Sequence, residues 1–119
     1  MQEMNRDQLA GKEISKNLLP LYQVMQPMEG KNVLILGYGR EGQATLSMLQ
    51  KLVPGARLTV ADIREQKLPE GVAGVFGAGY QDGLTGYDVI IKSPGIVLTD
   101  KSPAVLERVT SQTELFLRA

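Results

Sequence analysis

The sequence predicts an α/β fold, a Rossmann-like parallel sheet with helices on both faces. Three observations carry this. The apolar run Val33-Leu34-Ile35-Leu36 leads straight into Gly37-Tyr38-Gly39-Arg40-Glu41-Gly42, a G-x-G-x-x-G turn followed by Leu46, Leu49 and Val53 at helical spacing. Further short apolar stretches, Leu58–Ala61, Val72–Phe76 and Val89–Ile91, recur with helix or turn signals between them. Continuous apolar strands alternating with helices mean a parallel sheet covered on both faces. Finally, Asp62 closes the second stretch, at the strand end where an acid can take a nucleoside hydroxyl or a base edge. Right-handed crossovers order the four strands 3-2-1-4. The switch point then lies between strands one and four, so Ser93-Pro94-Gly95 faces the glycine turn across a crevice.

Taken in order, residues 1–30 form an N-terminal helical segment ahead of the α/β domain at 31–119. Ile14, Leu18, Leu21, Tyr22 and Met25 share a helical face, and Pro20 interrupts the run, so one or two amphipathic pieces are expected, broken near Asn17 to Pro20. Such a segment can pack on the sheet, act as an arm or dock a partner. Pro27 and Gly30 punctuate the approach to strand one. In the turn, Gly37 permits the tight bend, Gly39 lets a phosphate reach bare backbone, and Gly42 lets the helix pack close to the sheet. The helix N-terminus offers unpaired N–H groups and a positive dipole end to an anion. Val53-Pro54-Gly55 ends this helix, and Ile63 to Glu70 reads as a loop or a short helical turn. Gly77 and Gly79 close strand three; Gly83 and Gly86 leave room only for a short helix. Pro103 to Val109 reads as a helix with Ser102 as N-cap, and Thr113 to Leu117 begins another, capped by Ser111 or Thr113.

Composition narrows the chemistry. Thirteen basic and thirteen acidic side chains cancel, against a nucleic-acid or anionic-membrane surface. The chain has no cysteine and no histidine, which removes disulfides, thiolate ligands, imidazole bases and nearly all zinc sites. No apolar run approaches membrane-spanning length, and the first residues lack a signal-peptide apolar region, so a cytoplasmic location is the expectation. No G-x-x-x-x-G-K-[ST] phosphate loop occurs, and no acid pair has a spacing that demands acid–base catalysis. A nucleotide site without catalytic groups or a metal site is a binding domain.

Individual residues have two readings each. Asp62 is a ligand for a ribose or base, or a strand-ending acid in solvent. Arg64 contacts a base or sits in water. Ser93 bonds a phosphate or caps the turn ahead of Pro94. Arg40 and Glu41 fill the variable positions of the motif, where their backbone N–H groups matter more than their side chains. Lys92 reaches a phosphate or is solvated. Tyr38, Tyr80 and Tyr87 read as packing or surface aromatics.

The segments VLILGYGREG, VADIR, IIKSPGI and TSQTELFLR, in this order and spacing, resemble the N-terminal domain of the MurD-type muramyl ligases, the UDP-N-acetylmuramoyl-L-alanine:D-glutamate ligases of peptidoglycan synthesis. The likeness runs from about Lys31 to the end. Ser93-Pro94-Gly95-Ile96 is its most telling part, since dehydrogenases have no reason to carry it after strand four. The resemblance implies a domain that holds the UDP part of UDP-N-acetylmuramoyl-L-alanine. Gly39, Arg40, Glu41 and Gly42, with Gly37 shaping the bend, would line the diphosphate. Asp62, Ile63 and Arg64 would surround the uracil, and Ser93, Pro94 and Gly95 would border the uridine and diphosphate. This family often carries small or apolar residues where Arg40 and Glu41 stand, so only the backbone role transfers. It also often inserts an extra strand before the E-L-F segment; with only Thr110-Ser111-Gln112 available, a fifth strand is expected to be very short or absent. The complete enzyme forms an acyl phosphate with ATP and magnesium, then lets the D-glutamate amine attack, using central and C-terminal domains. These 119 residues contain neither, so they are expected to be a catalytically inert first domain, without a cofactor of its own and partnered by the remaining domains. Two other functions fit the same fold: an NAD(P)-binding module of a dehydrogenase or ligand-sensing regulator, and a scaffold making protein contacts through residues 1–28.

Overall fold

The structure, a computed structural model, describes residues 18–119; the helical expectation for residues 1–17 lies outside the described residues. Its centre is a parallel five-stranded sheet in the order β3-β2-β1-β4-β5. The strands are β1 (Asn32–Leu36), β2 (Arg57–Asp62), β3 (Ala73–Phe76), β4 (Val89–Lys92) and β5 (Val109–Thr110). The helices are α1 (Leu19–Met25), α2 (Arg40–Leu52), α3 (Pro103–Leu106) and α4 (Gln112–Arg118), with 3-10 turns at Gln26–Met28 and Leu84–Gly86. The expected 3-2-1-4 order holds and is extended by β5, which is as short as expected but forms at Val109–Thr110.

Alternation along the central strand decides the layers. Val33 and Ile35 point to one face, into a core with Leu21, Tyr22 and Met25 of α1, Leu46, Leu49 and Leu52 of α2, and Leu115 of α4. Leu34 and Leu36 point to the other, where Leu84, Leu98 and Val105 cover them. Both faces are covered, the first by three helices and the second mainly by loop and short turns. Each fully buried leucine of α2 stabilises the fold by roughly 1.5–3 kcal/mol, so α2 on β1 is the stiff part on which the glycine turn is mounted.

The break expected near Asn17 to Pro20 agrees with α1 beginning at Leu19, with Pro20 in its first turn, where its missing N–H has no helical partner to lose. One helix expectation needs correction. The helix expected from Pro103 to Val109 stops at Leu106. Beyond it the Arg108 carbonyl accepts the Ile90 N–H at 2.8 Å, and Val109 pairs with Ile90. The sheet claims that backbone before the helix can extend.

Register places the site. Leu36 lies opposite Ala61 of β2 and Lys92 of β4, so β1, β2 and β4 end almost level. Their carboxyl ends carry the glycine turn, Asp62-Ile63-Arg64 and Ser93-Pro94-Gly95, side by side.

Candidate functional site

Gly37 opens the first wall at φ 98°, in the left-handed region that glycine adopts freely. A Cβ there would also press on Ser93 Oγ and Ile96 Cγ1, both 2.9 Å away. Its N–H still donates to the Ala61 carbonyl (2.8 Å), which keeps the bend attached to β2. Next, the Tyr38 N–H donates to Asp62 Oδ2 at 2.7 Å, while the Tyr38 ring is buried in the core under α1 and α2. Gly39 is the N-cap of α2, in extended backbone at φ −79° and ψ −158°, and no side chain caps the helix. The first-turn N–H groups therefore have neither a capping side chain nor an intrahelical partner. Gly42 sits one turn in. A Cβ there would land on the Gly37 carbonyl oxygen, while the nearest sheet side-chain atom, Ile35 Cγ2, is a comfortable 3.5 Å off. The close approach that requires Gly42 is thus between helix and loop more than between helix and sheet.

The second wall is joined to the first. Ser93 N–H donates to the Leu36 carbonyl (2.9 Å), and Ser93 Oγ donates to the Gly37 carbonyl (3.3 Å). Ile96 N–H donates to the Ser93 carbonyl (3.2 Å), closing a turn with Pro94 and Gly95 exposed at its tip. Lys92 is not simply solvated: its Nζ donates to the carbonyls of Ser93 (3.0 Å) and Ile96 (2.7 Å).

At the end of β2, Asp62 acts on the loop beside it. One carboxylate oxygen takes the Tyr38 N–H and the other takes the Arg64 N–H at 3.1 Å. The acid is a cross-strand tie for the glycine turn. Ile63 is 56% exposed and Arg64 is exposed, so both side chains are free at the rim. Gly77 N–H donates to the carbonyls of Asp62 and Ile63, fixing that rim from β3. The structure therefore brings together Gly37, Gly39, Arg40, Glu41, Gly42, Asp62, Ile63, Arg64, Ser93, Pro94 and Gly95 along one edge of the sheet. Tyr38 is a core residue, as expected of a packing aromatic.

Sequence reasoning missed Gln81. Only 8% exposed, it donates from Nε2 to the Val97 carbonyl and accepts the Thr99 N–H, both at 3.0 Å. Nothing in the turn-rich stretch Gly79–Gly83 signals a buried amide. A cavity of about 550 Å³ lies at the opposite, amino end of the sheet beside Met28, Asp88, Arg108 and Arg118. Two of its polar side chains serve the fold: Asp88 accepts the Asn32 N–H, and Arg108 donates to the carbonyls of Ala104 and Tyr87. Among the described residues no helix is long and apolar enough to cross a membrane.

Fold and crevice define a Rossmann-like α/β domain whose exposed edge is built from two glycine-bearing turns. Comparison with known proteins goes further. The chain matches no protein-family model. It is 31% identical over 104 residues to the UDP-N-acetylmuramoylalanine--D-glutamate ligase of Clostridium perfringens, covering 76% of this chain and 22% of that protein. It is 32% identical over 95 residues to the protein of the same name from Aliivibrio fischeri, covering 72% of this chain and 22% of that one. A UDP-N-acetylmuramoyl-L-alanine--L-glutamate ligase of Xanthomonas euvesicatoria is 35% identical over 74 residues, covering 58% of this chain and 16% of its own length. The resemblance read from the motifs holds, and the chain is a MurD-like domain. It spans about a fifth of the length of these relatives.

Proposed function

We propose that this domain holds the UDP part of UDP-N-acetylmuramoyl-L-alanine in the crevice between the two glycine turns, as one part of an ATP-dependent ligase that adds glutamate. The observation that carries the reading is Gly39. Its backbone is one that any residue adopts, and a Cβ added there meets nothing within 4 Å. Neither packing nor strain requires glycine at that point. A diphosphate brought against the bare backbone and the α2 N-terminus would. Gly95, across the crevice, is equally open. Gly39 to Gly42 would then cradle the diphosphate through backbone N–H groups, with Arg40 at hand for charge. Ile63 and Arg64 would flank the uracil, and Ser93 to Gly95 would close the uridine side. Asp62 would work chiefly by holding the loop, which counts against its serving as a dehydrogenase's ribose acceptor.

ATP, magnesium and the acyl-phosphate chemistry belong, in this reading, to other parts of such a ligase. Relatives named for D-glutamate and for L-glutamate both match, so the likeness does not say which of the two is added. The test is an NMR titration of labelled protein with UDP, UDP-N-acetylmuramoyl-L-alanine and NADH. Shifts at residues 39–42, 62–64 and 93–95 with the uridine ligands alone are expected; shifts with NADH alone would overturn the proposal. ATP-dependent ligation by these 119 residues on their own would refute the division of labour.

A further inference from the structure

Between Lys92, the last residue of β4, and Pro103, the first of α3, the chain has no helix or strand, yet it forms one wall of the crevice. Apolar packing holds it thinly. Leu98 is buried, but Val97 is 73% exposed, and a cavity of about 320 Å³ runs along the loop between Lys92, Ile96, Val97, Leu98, Lys101 and Leu106. Polar side chains supply what packing does not. Lys92 Nζ takes the carbonyls of Ser93 and Ile96, at 3.0 and 2.7 Å. From the other side, Gln81 takes the Val97 carbonyl and the Thr99 N–H, and its remaining Nε2 hydrogen goes to Tyr80 Oη at 3.0 Å. Gln81 is buried with both ends of its amide satisfied, so it can exchange these partners for water only by leaving the core.

We propose that Lys92, supported by Gln81, is a positioning residue that pre-organises the Ser93–Thr99 wall for the nucleotide, acting through the turn and not by contact with a phosphate. The proposal rests on the crevice being the UDP site. A wall already ordered before binding does not have to be ordered by the ligand, and that difference appears as affinity. A lysine suits this task because its ammonium donates in several directions from one point and so can satisfy two carbonyls of a tight turn.

The test compares the wild type with Lys92→Met and Lys92→Arg, by amide hydrogen exchange without ligand and by titration with uridine and with UDP. In Lys92→Met, exchange at the Ile96 N–H, which closes the turn, should quicken about tenfold while Ile35 in β1 is unchanged. Affinity for uridine and UDP should fall by the same factor, roughly tenfold, or about 1.4 kcal/mol. Lys92→Arg, which keeps the donors, should recover most of it. If Lys92→Met does not fold, Lys92→Gln, too short to span both carbonyls, replaces it. A loss confined to UDP would overturn the proposal by making Lys92 a phosphate ligand. So would unchanged exchange at Ile96, or a loosened turn with full affinity. A wild type that binds neither ligand removes the UDP reading itself, which is a separate failure and ends the positioning role with it.

Discussion

Replacing Gly39 or Gly42 by alanine adds the same methyl group three residues apart and should have opposite consequences. At Gly39 the backbone stays as it is and the Cβ enters open space. Alanine is a poorer N-cap than glycine by about 0.5–1 kcal/mol, and it narrows the unfolded ensemble, which returns about 0.4–1 kcal/mol. The sum is near zero, so the melting temperature should move by no more than about 3 °C. At Gly42 helix propensity favours alanine by about 1 kcal/mol. Against that, the Cβ falls on the Gly37 carbonyl oxygen, a backbone atom held by the bend it belongs to. Relieving it means pushing α2 or the turn away, an overpacking penalty of about 1–3 kcal/mol or more. The net is a loss of stability of up to about 2 kcal/mol, or up to about 16 °C in melting temperature at about 4–8 °C per kcal/mol. Binding should invert the order of interest. Gly39→Ala folds normally yet loses at least about tenfold in UDP affinity, because the methyl group stands where the diphosphate must approach. Thermal melts and calorimetric titration of both variants decide the matter. A Gly39→Ala protein that binds UDP as the wild type does would refute the phosphate-approach reasoning. One destabilised by more than about 2 kcal/mol would show that Gly39 serves the fold after all.

Three further outcomes follow from the same geometry. Leu49→Ala, at a fully buried position in the α2–β1 core, should lower stability by about 2–5 kcal/mol in urea melts; a loss under 1 kcal/mol would mean the helix is not clamped as described. Asp62→Asn should lower stability by about 1.5 kcal/mol by weakening the acceptor for the Tyr38 N–H, with faster exchange at that amide; an unaltered Tyr38 amide would rule out the tie. Asp100 is held below its ordinary value of 3.8 by the Ser102 N–H and then by the Ser102 hydroxyl. A carboxyl lowered on folding contributes stability above its unfolded value and loses it as pH falls through the folded one. The Ser102 amide should therefore titrate with a midpoint under 3.8, and a midpoint at or above that value would contradict the assignment.

The sheet was legible because hydrophobic burial is local in sequence. Val33–Leu36 and Val89–Ile91 are apolar on every residue since strands buried on both faces leave no alternation to read. Right-handed crossovers then supplied the order. Helix ends were less legible, because competition for backbone decides them: α3 yields Arg108 and Val109 to β4, a long-range event that Pro103 and Ser102 do not announce. Least legible were the side chains that hold the walls. Asp62 reads in sequence as a ligand or as a strand-ending acid in solvent, and neither reading announces that its carboxylate accepts the amides of Tyr38 and Arg64.

The glycines show how this division works in one motif. In sequence, Gly37, Gly39 and Gly42 are equivalent letters, and each could serve backbone freedom, close packing or a ligand. Placed in the fold they separate. Gly37 is required by its φ and by Ser93 and Ile96 against it, and Gly42 by the carbonyl of Gly37. These two make the crevice possible by drawing the α2 N-terminus and the Ser93 turn onto the same bend. At Gly39 and Gly95, one on each glycine turn, an added Cβ would meet nothing within 4 Å, as at Gly86 at the other end of the sheet. Each extra glycine widens the unfolded ensemble, a cost that N-capping offsets at Gly39. Under the proposed function, the open backbone of Gly39 and Gly95 is where a ligand would approach, while Gly37 and Gly42 explain how the two turns come to lie side by side.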